Sequence, residues 1–384
     1  MYPIMIAALL GAGCAPAPTT LDKSATPIQA DIAREYRAVA AGFVHTCALD
    51  QRGAAYCWGN NDYSQLGANS KDTCGGRPCS TDPLEVLGGL RFTSLAAGWV
   101  HNCGIVADGS AWCWGGGSVD RRGYLGDGSL RRTADPVRVA SDSIFASVTV
   151  GDGHSCALTA SGQAYCWGEN DFGQLGDASG VDRAVPVPAA ASLRFRELSA
   201  GAYHTCGITL GSVAYCWGDN RWGQLGPGDV AYNDVAAARH APVAVTGAER
   251  WARIAAGWQH TCAITSARAT HCWGRNDAAN QLGDDSDITH RGVPAPIADA
   301  PAFAALTAGP LATCGRTASG ETWCWGGYYY GALGDGSVVA AGVGHPTRVQ
   351  GGPFIEITLG QGHSCAIAND RELWCWGDKS AGQY

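Results

Sequence analysis

The chain is expected to fold as an all-β protein, a seven-bladed propeller of four-stranded antiparallel blades. Three observations lead there. The tripeptide Cys-Trp-Gly occurs seven times, beginning at Cys57, Cys113, Cys166, Cys216, Cys272, Cys324 and Cys375, at intervals of 50 to 56 residues. Ten residues before each of these cysteines stands another: Cys47, Cys103, Cys156, Cys206, Cys262, Cys314 and Cys365. Gly and Trp are abundant, at 54 and 14 residues, and no segment has a helical period. A fixed period of about 50 residues built from short strands is the signature of propeller blades.

Within a copy the strands follow in order. Val39-Ala40-Ala41-Gly42 leads to His45-Thr46-Cys47-Ala48-Leu49, a turn holds Gly53, and Ala55-Tyr56-Cys57-Trp58-Gly59 follows. A longer segment then ends in Gln65-Leu66-Gly67, and after a variable loop comes a strand of the type Pro83-Leu84-Glu85-Val86. Apolar and aromatic runs of 4 to 6 residues between Gly, Asn, Asp and Pro read as strands. The seventh copy stops at Gly382-Gln383-Tyr384 without its last strand, while Thr26-Pro27-Ile28-Gln29 precedes the first. Pairing of that N-terminal strand into the last blade is expected to close the ring and leave no open edge, with a truncated C-terminus as the alternative.

Three regions are expected. Residues 1–14 read as a signal peptide, 15–25 as a flexible tether, and 26–384 as the propeller. The apolar run Ile4 to Leu10 is followed by Gly11-Ala12-Gly13-Cys14 and an Ala/Pro/Thr stretch, an arrangement similar to a bacterial lipoprotein signal with Cys14 as the lipidated residue. Gly11 stands where that pattern prefers Leu, and no Lys or Arg precedes the run, so ordinary secretion is the alternative. The run is too short to span a bilayer. Seventeen cysteines also suit an oxidising compartment. An exported protein is therefore expected, as an outer-membrane or cell-surface lipoprotein or else periplasmic or secreted, and as a monomer.

Cysteines opposed on a hairpin come close enough for a disulfide. The seven pairs at identical spacing are thus expected to be cross-strand disulfides, with Cys74 and Cys79 forming an eighth that rigidifies an insertion in the first inter-blade loop. Zinc is the rival, because His45 lies on one face with Cys47 opposite Cys57. The sixth copy argues against it: Ala312 replaces the histidine, yet Cys314 and Cys324 remain. His45, His101, His154, His204, His260 and His363 are instead expected to anchor blade to blade. Asp127, Asp177, Asp284 and Asp335 are single carboxylates in Gly/Ser turns, short of a calcium site, and are expected to cap those turns.

The pattern Ala-Gly-x-x-His-Thr-x-Ala-Leu followed by Trp-Gly-x-Asn-Asp-x-Gly-Gln-Leu-Gly resembles the regulator of chromosome condensation repeat. The third copy carries it from Gly151 and His154 through Trp167, Asn170, Asp171 and Gly173 to Leu175 and Gly176. The resemblance extends from about Pro27 to Tyr384 and implies a seven-bladed propeller. It also implies that the histidine is structural, since family members keep it without the cysteines. Guanine-nucleotide exchange on Ran and nucleosome binding, which the family is best known for, suit an acidic exported chain poorly. A secreted bacterial β-lactamase inhibitor built from this repeat, which grips a protein with an aromatic-rich face, is the nearer analogue.

The net charge of −8 and the lack of Lys/Arg clusters exclude a nucleic-acid surface. No nucleophile elbow, zinc-protease helix, phosphate loop or dinucleotide fingerprint is present, so an enzyme and a cofactor are not expected. A propeller lyase or glycosidase is the enzymatic alternative, and it would need convergent carboxylates near the central channel. The binding candidates are aromatics on one rim. Phe43, Trp99, Tyr203 and Trp258 stand in the loops between the first two strands. Tyr63, Phe172, Trp222 and the run Tyr328, Tyr329 and Tyr330 stand in the loops after the third. They differ between copies, as recognition residues can and scaffold residues should not, and aromatics dominate interface hot spots. The expected partner is a protein or a surface polysaccharide, with membrane contact only through the lipid anchor. The Trp of Cys-Trp-Gly recurs in every copy and is read as scaffold.

Overall fold

A computed structural model describes residues 34–117, 122–228, 230, 234–277, 279–327, 331–337 and 342–383. Seven antiparallel sheets follow one another along the chain. In the first blade β1 (Tyr36–Ala41), β2 (His45–Asp50) and β3 (Ala55–Asn60) form a meander, β5 (Arg77–Glu85) pairs with β3, and β4 (Asp72–Cys74) adds a fifth strand outside it. Blades two to six have four strands each. The seventh has three among the described residues, Phe354–Leu359, His363–Ala368 and Leu373–Gly377. The expected closing strand, Thr26 to Gln29, lies outside the described residues, as do Cys14 and the regions 1–14 and 15–25.

Closure is nonetheless visible at the inner strands. Val39 N donates to a Glu356 carboxylate oxygen at 3.2 Å and Ala41 N to Thr358 Oγ1 at 2.9 Å, so blade seven meets blade one directly. The same device recurs where the inner strand offers a hydroxyl, with Thr149 Oγ1 accepting from Ala200 N and Ser199 Oγ from Ala256 N. Trp58 Nε1 donates to the Gln383 carbonyl, the last link of the chain to its first blade.

Seven apolar cores hold the ring together, one per interface. Each joins the cysteine pair of one blade to the inner-strand aromatic and the Cys-Trp-Gly tryptophan of the next. Cys206 and Cys216 lie with Trp251 and Trp273, and Cys365 and Cys375 with Tyr36 and Trp58 across the closing interface. All seven pairs are disulfides between directly opposed residues, with Cα atoms 4.1 Å apart. Because the paired residues share one face of the hairpin, a position that in a plain sheet would carry two apolar side chains carries an S–S bridge instead. The inner-strand aromatics Tyr36, Phe92, Phe145, Phe195, Trp251, Phe303 and Phe354, six residues before each blade's glycine, recur in every copy. Sequence reading passed over them.

The histidine network is polar and buried. His154 Nε2 lies 2.9 Å from Thr205 Oγ1, and Thr205 Oγ1 donates to the Gln174 carbonyl at 2.9 Å. A hydroxyl has one proton, so the histidine supplies the other: Nε2 is the protonated nitrogen. His45 follows the same logic with Asn102, whose Nδ2 donates to the Gln65 carbonyl. His101, His204, His260 and His363 reach Ser155, Thr261, Thr313 and Thr46 in turn, so the last closes blade seven onto blade one. The Gln carbonyl also receives the next blade's tryptophan, as from Trp217 to Gln174 at 2.9 Å. The preceding glycine leaves room for the imidazole: a Cβ on Gly201 would lie 2.3 Å from the Gly257 carbonyl oxygen and 2.4 Å from His204 Cε1.

The zinc alternative does not survive these contacts, because the sulfurs bond to each other and Nε2 bonds to the neighbouring blade. Among the described residues no group of three or more His, Cys, Asp and Glu could hold a metal ion. The four turn aspartates accept from the backbone N–H two residues on, at Ser129, Ser179, Ser286 and Ser337.

One correction concerns the eighth pair. Cys74 and Cys79 are bonded, but their loop connects the third and fourth strands of blade one rather than two blades. The insertion is a hairpin whose tip, Gly75 to Pro78, is exposed, with Arg77 ion-paired to Asp62 at 3.1 Å. Cys74 is half-buried, whereas the fourteen hairpin cysteines are fully buried. Thiolate attack needs access to sulfur. Brief treatment of the native protein with a mild reductant and an alkylating agent is therefore expected to label Cys74 and Cys79 alone, as read by peptide mass mapping. Equal labelling of the Cys-Trp-Gly cysteines would contradict the burial described.

Candidate functional site

The short loop between a blade's first two strands holds two residues after its glycine, and they go to different places. In six of the seven loops the first residue of the pair faces the axis. Phe43, Trp99, Asp152, Ala202, Trp258 and Pro310 line a shallow mouth of ≈ 80 Å³. Beneath it, sharing the layer of Ala41, Ala97, Val150, Ala200, Ala256, Ala308 and Leu359, runs a central cavity of ≈ 540 Å³. The second residue of the pair lies farther out. Tyr203 is one of these, and it packs on Phe172, not on the mouth, with ring centroids 5.5 Å apart.

Three of the expected aromatics therefore meet. Phe43 lies between Trp99 and Trp258, with centroids 5.1 Å and 5.5 Å away and the rings tilted by 45° and 41°. They come from blades one, two and five, which are not all neighbours, so the contact exists only because the ring is closed. Trp99 is 36% exposed and the other two are half-buried. Backbone hydrogen bonds fix the loops: Phe43 N donates to the Gly98 carbonyl and Gln361 N to the Phe43 carbonyl.

The other candidates do not join this cluster. Phe172 and Tyr203 form a second group, with the Arg221 guanidinium 4.7 Å above the Phe172 ring. Trp222 departs from the expected exposed rim. It is 8% exposed, lies edge-on to His290, and has Arg275 4.6 Å over its face. Arg275 bonds Gln259 and Asp277, which holds it across the indole. Tyr63 is half-buried, and among the described residues it makes no ring contact with the others. Tyr328, Tyr329 and Tyr330 lie outside the described residues.

Charged residues that sequence reading did not single out complete the rim. Asp152 accepts from Trp258 Nε1 at 2.6 Å, and burial pushes its carboxyl up to about 7 against that hydrogen bond. Burial likewise raises Glu169 to about 7, although Arg122 works the other way. Arg122 contacts Glu169 at 3.3 Å, Asp171 at 2.6 Å and Asp182 at 3.5 Å. The Tyr203 hydroxyl is held well above the ordinary phenol range by burial, then by Asp152 and Glu169. Asp152 occupies the same loop position as Phe43, Trp99 and Trp258.

Seven meander blades closed on a common axis, with a cysteine-bridged hairpin in each and an aromatic mouth at one end, define a seven-bladed β-propeller of regulator-type repeats. The RCC1-like domain model matches residues 10–350 and the regulator of chromosome condensation (RCC1) repeat model residues 354–383, and the chain belongs to this family. Similar proteins include the ultraviolet-B receptor UVR8 of Arabidopsis thaliana, 28% identical over 91% of this chain and 67% of the receptor. The human E3 ubiquitin-protein ligase HERC2 is 31% identical over 34% of this chain, which spans only 3% of the ligase. Among solved structures, human WBSCR16 has a TM-score of 0.77 at 18% identity, covering 88% of this chain and 89% of that one. Yeast RCC1 (Prp20), bound to Kap60, has a TM-score of 0.72 at 21% identity, covering 90% and 82%. At these identities the solved structures speak for the fold alone. The fold is a scaffold for protein interaction.

Proposed function

We propose that the chain is an exported binding propeller that engages a protein partner through the mouth formed by Phe43, Trp99 and Trp258. The observation that carries this reading is the convergence of three large, partly exposed rings from three blades at loop positions that differ between copies. A scaffold has no need of them there, because the interblade cores are already complete without them. Export is supported by eight disulfides, which persist in oxidising compartments. No described helix is long and apolar enough to cross a membrane, and an anchor at Cys14 belongs to the same proposal.

The test compares the oxidised protein with a Phe43→Ala/Trp99→Ala/Trp258→Ala variant as bait for the native envelope and extracellular fractions. The wild type is expected to retain a partner. The variant is expected to lose it by tenfold or more, in the manner of about 2 kcal/mol hot spots, while its melting temperature stays close to that of the wild type. Retention by the variant would overturn the assignment. A polysaccharide in place of a protein would change the partner class. Turnover of a glycan panel would favour the enzyme reading, for which Asp152 and Glu169 are the carboxyls at hand.

A further inference from the structure

The mouth has a chemical preference that the rest of the rim makes visible, and this inference rests on the binding role just proposed. The aromatic faces of the rim are of two kinds. Phe172 and Trp222 already carry guanidinium groups of this chain, Arg221 and Arg275. Over Phe43, Trp99 and Trp258, by contrast, no arginine or lysine stands among the described residues. These three rings share their cavity with a carboxyl, Asp152. The indole N–H of Trp258 binds one of its oxygens, and a carboxylate has acceptor sites for several more donors. The cavity, ≈ 80 Å³, is the size of a side-chain head group rather than of a folded element.

We infer that the mouth receives a cationic side chain of the protein partner, an arginine guanidinium or a lysine ammonium, seated on the Trp99, Phe43 and Trp258 rings with Asp152 as its counter-charge. Ring faces attract cations through their quadrupole, and a carboxylate at the same spot supplies the charge that the rings lack. The surroundings agree in sign. Glu169, Asp171 and Asp182 lie on the same rim with Arg122 as the basic residue among them, and the whole chain carries −8. Electrostatic complementarity of this kind steers a basic partner toward the mouth.

A pH dependence follows. Asp152 lies near Glu169 and Tyr203, with Arg122 acting on Glu169 and with Arg221 and Tyr124 acting on Tyr203. Its carboxyl titrates near neutrality, so a bound cation favours its ionised form and binding strengthens as pH rises through about 7.

The experiment titrates the full oxidised chain with acetyl-Gly-Arg-Gly-amide, its lysine counterpart, and the citrulline peptide as the neutral isostere. Tryptophan fluorescence and ligand NMR report binding at about pH 6 and about pH 8. The arginine peptide is expected to saturate, to bind about tenfold more tightly than citrulline, and to tighten toward the higher pH. Asp152→Asn is expected to weaken it about tenfold and to abolish the pH dependence. Trp99→Leu, at an exposed ring, is expected to weaken it at both pH values without altering the melting temperature. Equal binding of citrulline, no saturable response to either basic peptide, an oligosaccharide that saturates the mouth in their place, or an unaffected Asp152→Asn variant would each overturn the inference. If the triple aromatic variant loses the partner while Asp152→Asn keeps it, the binding role stands and the cation does not. If the triple variant keeps the partner, both fall.

Discussion

On acidification from about pH 7 to about pH 4 the protein is expected to lose stability steeply, by several kcal/mol across the window, and thermal unfolding at stepped pH will show it. Six imidazoles carry the effect. Burial lowers His45 to about 4 and His101, His154, His204, His260 and His363 to about 3. The cause is geometric. Nε2 already holds its proton for the neighbouring blade, and a second proton would go to Nδ1, which has no hydrogen-bond partner in any of the six. In the unfolded chain each imidazole takes a proton below about 6.5. The unfolded state therefore binds more protons than the folded one, and stability falls with pH from about 6.5 until the folded values are reached.

Four buried carboxyls oppose this, Glu197 among them, which burial also raises. Burial raises Asp152, Glu169 and Glu356 to about 7, so between about 4 and about 7 the folded chain holds protons that the unfolded chain has released. Their contribution improves stability as pH falls through the same window. The six histidines outnumber the four carboxyls, and the net direction is loss. His204→Gln separates the terms. A glutamine amide can still donate toward Thr261 but cannot become charged, so the variant should lose stability at neutral pH and show a shallower acid slope. A melting temperature that stays level or rises between about pH 7 and about pH 5 would show that the buried histidines do not govern the response.

These histidines were readable from the sequence because the chain contains its own comparison. Six copies place His, Cys, Cys and Trp at one spacing, and the remaining copy, with Ala312, keeps its cysteines, which separates the histidine's role from theirs. Ser364 of blade seven, which a histidine at position 312 would reach, still donates to the Ala332 carbonyl at 2.6 Å, as Thr205 does to that of Gln174. Repetition also made the turn aspartates and the core tryptophans legible. It served less well where copies differ. The loop residues Phe43 and Tyr203 looked equivalent, yet adjacent positions in a two-residue loop point to different places, one to the axis and one to the next loop. Trp222 looked exposed because its loop is exposed, but Arg275, 53 residues later, folds over it. Asp152 was missed because an isolated carboxylate in a Gly-rich loop gives no hint that closing the ring brings Trp258 to it. Contacts that require the circle to be complete leave no local trace. The inner-strand aromatics are a different case: their six-residue spacing to the glycine was there to be seen.

The second large effect concerns the hairpin disulfides, and it should depend on which blade is altered. Replacing Cys206 and Cys216 together by alanine is expected to cost about 3–4 kcal/mol: about 2.5 kcal/mol from loop entropy and the rest from the space left against Trp251 and Trp273. Chemical denaturation of the oxidised variant measures it. The same change at Cys365 and Cys375 should cost more. That bridge packs on Tyr36, Val39 and Trp58, across the one interface formed between the two ends of the chain. The bond from His363 to Thr46 at this seam joins residues 317 apart in sequence, while its counterparts elsewhere join residues 51 to 57 apart. A long loop must be closed before such contacts form, and the cost of closing it grows with its length. A propeller whose weakest joint is the seam should open there first, so the seam variant should also exchange its inner-strand amides in blades one and seven faster than those in blades three and four. Equal losses for the two variants, with uniform exchange around the ring, would mean that all seven interfaces melt as one unit and that closure by sequence-distant contacts carries no special weakness.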